Sequence, residues 1–94
     1  MKRKNSNRTQ LEFKKDAEEL LKKTFGQSLK AIRTKKDISQ EAMAFIMGMS
    51  RTYYTEIEGG KRNPSLVNIA KILAATDISF EKLLPLAEIK KLVK

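Results

Sequence analysis

The sequence contains no cysteine and no histidine. The first absence excludes disulfides, thiolate metal sites and cysteine nucleophiles. The second removes the commonest general base and the commonest metal ligand. No cofactor and no small-molecule ligand is therefore expected, and no metal site. Prolines and glycines are few, two and four, and they punctuate the chain rather than repeat in it. No apolar run approaches the roughly 18 residues that a membrane span needs. The opening Met1, Lys2, Arg3 and Lys4 are not followed by an apolar stretch of the kind a secretory signal requires, so a cytoplasmic protein is expected. Apolar and polar residues never alternate for five positions, which leaves strands without a pattern. Acidic residues are scarce relative to basic ones. Eleven Asp and Glu face 20 Lys and Arg, for a net charge of +9.

What remains is a 94-residue chain, 40% hydrophobic. That length fits one small domain, and that composition is too apolar for a wholly disordered chain. The charge is uneven. Residues 1–36 carry 12 basic and 4 acidic groups, whereas residues 37–94 carry 8 and 7. Basic groups in the second part must therefore act through position rather than number. Residues 1–9 hold four basic groups, no acid and no large apolar side chain except Met1. They read as a disordered basic arm, either simply solvated or touching phosphates or a minor groove.

Helical periodicity covers the rest. Phe13, Ala17, Leu20 and Leu21 form one stripe over residues 10–24, supported by the i,i+4 pairs Glu18–Lys22 and Glu19–Lys23. This segment predicts an extra N-terminal helix, ended or bridged at Gly26. Phe25, Leu29 and Ile32 make the next stripe. Ser39, Ser50, Ser65 and Ser79 are well placed as N-caps of four further helices. In the helix after Ser65, the expected buried face is Leu66, Ile69, Ala70 and Leu73. Pro85 interrupts the last core helix, and residues 85–94 read as a C-terminal helical extension. The fold class is all-α, about five short core helices over residues 25–84 with helical extensions at both ends.

Residues 40–59 read QEAMAFIMGMSRTYYTEIEG. Two short helices are joined by a tight turn at Gly48, where a positive φ suits glycine. Ala44 is small where the helices would press together. Met43, Met47, Met49, Tyr54 and Ile57 fall at positions that bury between them. This is a helix-turn-helix, whose second helix can enter a major groove. Arg51 follows the N-cap of that second helix directly. A cation there opposes the helix dipole at a cost of roughly 0.3–1 kcal/mol. A bound anion would compensate, and Arg51 could then give a bidentate pair to guanine. Arg51, Thr52 and Thr55 lie along one outward edge, with Tyr53 and Glu56 beside it. Tyr53 reads as a phosphate or base contact or as a plain half-exposed aromatic. Glu56 would accept from cytosine or repel wrong docking. Lys61, Arg62 and Asn63 make a basic loop suited to clamping a phosphate, and the N-terminus capped by Ser39 suits another.

The strings LKAIR at 29–33, ISQEA at 38–42, MSRTYY at 49–54 and IEGGKRNPSL at 57–66 together resemble the Cro/repressor-type (Xre-like) helix-turn-helix family. The resemblance covers about two-thirds of the chain. Departures are small: Gly59 stands where a polar residue or Arg is frequent, and Met43 and Phe45 replace commoner residues. The resemblance implies a lambda-repressor-like DNA-binding domain and a sequence-specific transcriptional regulator of double-stranded DNA. It implies base reading by Arg51 and Thr52, with Thr55 close, a phosphate contact from Gln40 or a buttress from it to the recognition helix, and a structural ion pair between Arg33 and Glu58. It further implies a homodimer on a palindromic operator, with Leu83, Leu84, Leu86, Ile89 and Leu92 as the expected dimer surface; closure of the monomer's own core is their other reading. The N-terminal extension could serve the interface instead.

The stretch from Arg51 to Tyr53, with Glu58 and the Asn63, Pro64, Ser65 run, is particularly similar to restriction–modification controller proteins, which regulate their own operon. Antitoxins and phage-type repressors carry similar heads. Activation would need a contact to RNA polymerase; repression needs only occupied promoter DNA. Two other classes compete: a helical module binding protein and not DNA, and a nonspecific nucleoid binder. An enzyme is disfavoured, since no Gly-rich phosphate loop follows a strand and Glu56 and Glu58 do not share a helix face.

Overall fold

A computed structural model describes residues 9–94; the expected basic arm lies outside them, Thr9 excepted. Six helices follow one another: α1 (Ala17–Lys35), α2 (Gln40–Met47), α3 (Arg51–Glu58), α4 (Leu66–Thr76), α5 (Phe80–Leu83) and α6 (Leu86–Lys90). Serines start three of them as their chemistry dictates. Ser39 Oγ accepts from the Ala42 amide at 3.1 Å, Ser50 Oγ from Tyr53 at 3.1 Å, and Ser65 Oγ from Asn68 at 3.2 Å. Each satisfies a donor that the first helical turn leaves free, for about 1 kcal/mol apiece. Ser79 occupies the corresponding place before α5 without a side-chain cap. Gly48 ends α2 at φ +69°, the left-handed conformation that turns the chain into α3.

The core gathers Phe25 and Leu29 from α1, Met43, Ala44 and Met47 from α2, Tyr54 and Ile57 from α3, Ile72 from α4, and Leu83 and Leu84. Full burial of such side chains contributes about 1.5–3 kcal/mol each. α1 packs on α3 and α5, and α2 packs on α3 and α4. The second helix of the motif is thus held from behind by two others.

Four expectations from the sequence need correction. There is no separate helix over residues 10–24: α1 begins at Ala17 and runs unbroken through Gly26. Residues 12–14 are drawn instead into extended pairing with the chain's other end. Phe13 bridges Val93 in antiparallel fashion, Lys14 N donates to Leu92 O at 2.7 Å, and Lys94 N donates to Glu12 O at 2.9 Å. Tertiary hydrogen bonding overrides local helix preference here. The C-terminal extension is correspondingly helical only as far as Lys90.

The third correction concerns the expected dimer surface. Leu83 is fully buried, and Leu84 and Leu92 are nearly so, which fits the other reading of these side chains, closure of the monomer's own core. Ile89 is half-buried against that core, and only Leu86 stands exposed. The fourth concerns α4. Its buried residues are Ile72 and Thr76, flanked by half-buried Ile69 and Leu73, whereas Leu66 is 82% exposed and Ala70 faces solvent. α4 is apolar on nearly all sides, so periodicity alone could not say which side turns inward. The Thr76 hydroxyl is accommodated by donating to Ile72 O at 2.7 Å.

Candidate nucleic-acid interface

The site is built around one buried carboxylate. Glu58, at the end of α3, accepts on Oε2 from Arg33 Nε at 2.6 Å and from the Tyr54 hydroxyl. On Oε1 it accepts from Arg33 Nη2 at 3.1 Å and Gln40 Nε2 at 3.0 Å. The remaining Arg33 nitrogen, Nη1, donates to Ile38 O at 2.8 Å. One anion thereby joins α1, the α1–α2 turn, α2 and α3. Among the described residues no buried side-chain polar atom lacks a partner, which is the condition for a buried ionic group to hold a structure rather than weaken it. Burial pushes the Glu58 carboxyl upward, but the hydrogen bonds from Arg33, Tyr54 and Gln40 and the charge of Arg33 outweigh it and hold it below the usual range. The bond to Glu58 raises Arg33 against the opposing effect of burial. Burial, and then the bond to Glu58, raises the Tyr54 phenol. All three side chains keep their ordinary neutral-pH states.

With its inner side fixed in this way, α3 turns a polar arc outward. Arg51, Thr52 and Thr55 are exposed, and Glu56 is half-exposed at the edge of the arc. Tyr54, Ile57 and Glu58 make the inner side. Arg51 approaches Glu41 of α2 only to 4.0 Å, with both side chains largely in solvent. A pair of that kind contributes little, so the guanidinium remains available to an anion. Ser39 is exposed at the start of α2. Gln40, beside it, has its amide turned inward onto Glu58, so it buttresses α3 directly.

The loop after α3 is also ordered. Gly60 takes φ +74°, and Lys61 N donates to Glu56 O at 2.8 Å. Lys61, Arg62 and Asn63 are all exposed. Arg62 Nε donates to Glu56 Oε1 at 2.8 Å, and its guanidinium carbon stands 5.3 Å from the centre of the Tyr53 ring. The Tyr53 hydroxyl in turn accepts from Asn68 Nδ2 of α4 at 3.0 Å. The sequence puts Tyr53 and Glu56 beside the outward edge of α3 and Arg62 in the loop after it, with no link among the three. Tyr54 and Glu58 were also legible in principle, as an i,i+4 pair on one helix face. Nothing in the sequence announces Asn68.

The assembly is a scaffolded helix with a polar outer flank and basic groups at its loop end. Such a helix can enter the major groove while the loop and the α2 terminus meet phosphates. Among the described residues no cluster of acidic side chains could hold a metal ion, and no helix is long and apolar enough to cross a membrane.

Comparison with known proteins agrees with this geometry. A helix-turn-helix family model, HTH_3, matches residues 29–83. The control protein C.MunI of a Mycoplasma species is 48% identical over 64 residues, covering 67% of this chain and 86% of that protein. The control protein C.BamHI of Bacillus amyloliquefaciens is 46% identical over 61 residues, covering 64% and 75% respectively. Among solved structures, the restriction–modification controller protein C.AhdI from Aeromonas hydrophila is similar with a TM-score of 0.64 at 46% identity, over 67% of this chain and 96% of that one.

Proposed function

The chain belongs to the HTH_3 helix-turn-helix family of DNA-binding transcriptional regulators, and we propose that it reads a palindromic operator as a homodimer and controls a restriction–modification operon that includes its own gene. The observation that carries this reading is the outward arc of α3, with Arg51, Thr52 and Thr55 exposed on a helix whose opposite side is locked by Glu58. Arg51 and Thr52 meet base edges, with Thr55 and Tyr53 beside them. Ser39, Lys61, Arg62 and Asn63 meet phosphates and fix the register. Gln40 assists from the α2 terminus. Repression follows from occupying promoter DNA; activation adds a contact to RNA polymerase. The likeness to controller proteins supports the operon.

A single head contacts few base pairs, and two heads about 34 Å apart double the contact set. The second copy seats on the outer face of α4. Val67 is 66% exposed there, and Ala70, Lys71 and Ala74 complete the face. A helix apolar around nearly its whole circumference belongs in an interface. Lys71 is the one charged residue among these four, so two copies meet there with little mutual repulsion.

The test is selection of bound duplexes from a random pool, followed by titration of the winner against random competitor at several salt concentrations. A recovered inverted repeat, and affinity that falls steeply with salt, are the expected results. Enrichment of no sequence, or binding indifferent to salt, overturns the reading in favour of a protein-binding module.

A further inference from the structure

Arg62 is gripped twice. Glu56 Oε1 takes its Nε at 2.8 Å, with the two side chains 33% and 52% exposed, and the Tyr53 ring faces its guanidinium at 5.3 Å. Tyr53 is anchored by Asn68 on the next helix. The grip spans α3, the basic loop and α4. Its edge and its face thus engaged, the planar guanidinium keeps Nη1 and Nη2 for an outside anion. Neither makes a hydrogen bond within the described chain.

Glu56 is anomalous on electrostatic grounds. It puts a carboxylate on the edge of the arc that meets a polyanion, where Coulomb's law alone favours a neutral or basic residue. A loose arginine on a loop neutralises phosphates of any sequence, and that attraction supplies nonspecific binding. An arginine partly neutralised by a carboxylate and fixed in direction behaves differently. Its pull on a passing phosphate is weaker, and its Nη fork is served only when a phosphate arrives from one direction. That happens in register with the α3 base contacts.

We propose that Glu56 is a positioning residue that sets the discrimination between operator and random DNA by holding Arg62. The inference rests on the DNA reading above, and its test separates the two. Wild type, Glu56→Gln, Arg62→Ala, Arg62→Lys and the double variant Glu56→Gln/Arg62→Ala are titrated by fluorescence anisotropy. The probes are a duplex selected by the wild-type protein and a scrambled duplex of equal length. Wild type that fails to tell the two duplexes apart removes the DNA reading itself. Given discrimination by wild type, Glu56→Gln tightens the scrambled duplex more than the selected one and cuts the affinity ratio about fivefold. In the Arg62→Ala background the same change leaves the ratio where it stood. Arg62→Lys keeps the charge without the planar fork, and reproduces the loss with Glu56 intact. An unchanged ratio in Glu56→Gln, a ratio that still falls without Arg62, or an Arg62→Lys protein that discriminates like wild type overturns the proposal. Both partners are partly exposed, so these variants fold.

Discussion

Gly26 lies against the last carbonyls of α3: a Cβ placed on it would fall 2.4 Å from Ile57 O and 2.6 Å from Glu58 O. The glycine sits inside α1, where alanine is ordinarily favoured by about 1 kcal/mol. Here the close crossing of two backbones reverses the preference. Gly26→Ala must push α1 away from the helix it supports, and neither neighbour is a flexible side chain that can move aside. A net loss of about 1–3 kcal/mol is expected. A chemical denaturation series checks it, and an unchanged midpoint contradicts the crossing. DNA affinity falls with it, because α3 loses its backing.

The Glu58 hub predicts an acid dependence. The folded carboxyl is held below its ordinary value, so the unfolded chain binds its proton more readily than the native one. Stability from this group is fully present above the unfolded value of about 4.3 and disappears as pH falls below it, through the depressed folded value. Thermal melts of wild type should therefore drop across that acid window. Glu58→Gln should flatten the dependence there while lowering stability at neutral pH. Arg33→Ala leaves the buried carboxylate without its ion partner, and is expected to cost about 3–5 kcal/mol.

Base reading and phosphate contact separate cleanly by mutation. Arg51→Ala is expected to relax preference at one operator position and cost about 1–3 kcal/mol on the selected duplex. Lys61→Ala should weaken all duplexes alike and reduce the salt slope by about one. Titrations on the selected duplex and on single-base variants decide between these patterns. The same response from both variants would mean that the docking face is misassigned.

The outer face of α4 and the C-terminal leucines make opposite predictions. Val67→Glu places a charge on a surface already in water within the monomer, so the fold survives while sedimentation shows dissociation and weaker operator binding. Leu83→Ala empties a fully buried site, and should cost about 2–5 kcal/mol of stability. A Leu83→Ala protein that stays folded but monomeric would restore the leucines to the interface.

The legible and illegible parts of this molecule divide along a physical line. Helices started by a serine with its own backbone donor within reach, such as those after Ser39, Ser50 and Ser65, are fixed locally and are readable. So is the turn at Gly48, which requires φ +69°. Properties settled by distant contacts are not. The segment around Phe13 has helical periodicity, yet it pairs with Val93 because both find backbone partners there. α4 carries apolar residues on all sides, so its inward face is chosen by what packs on it. The grip of Glu56 and Tyr53 on Arg62 depends on the path of a loop, which composition does not encode. Arg33 and Glu58 could be matched by family resemblance, and so could a buttressing role for Gln40, but its bond to Glu58 and the part of Ile38 in the same hub needed coordinates.

The pairing of Phe13 with Val93 has a consequence for the order of assembly. Contacts among α1, α2 and α3 can form while the chain is still being made. The seam between residues 12–14 and 92–94 cannot, because it joins stretches separated by the whole domain and waits on the last of them to emerge. Until then Lys14 N and Glu12 O lack the backbone partners they have in the finished fold. Closing so distant a loop is slow relative to local helix formation, so a nascent regulator would finish its DNA-reading head first and zip its two ends together last.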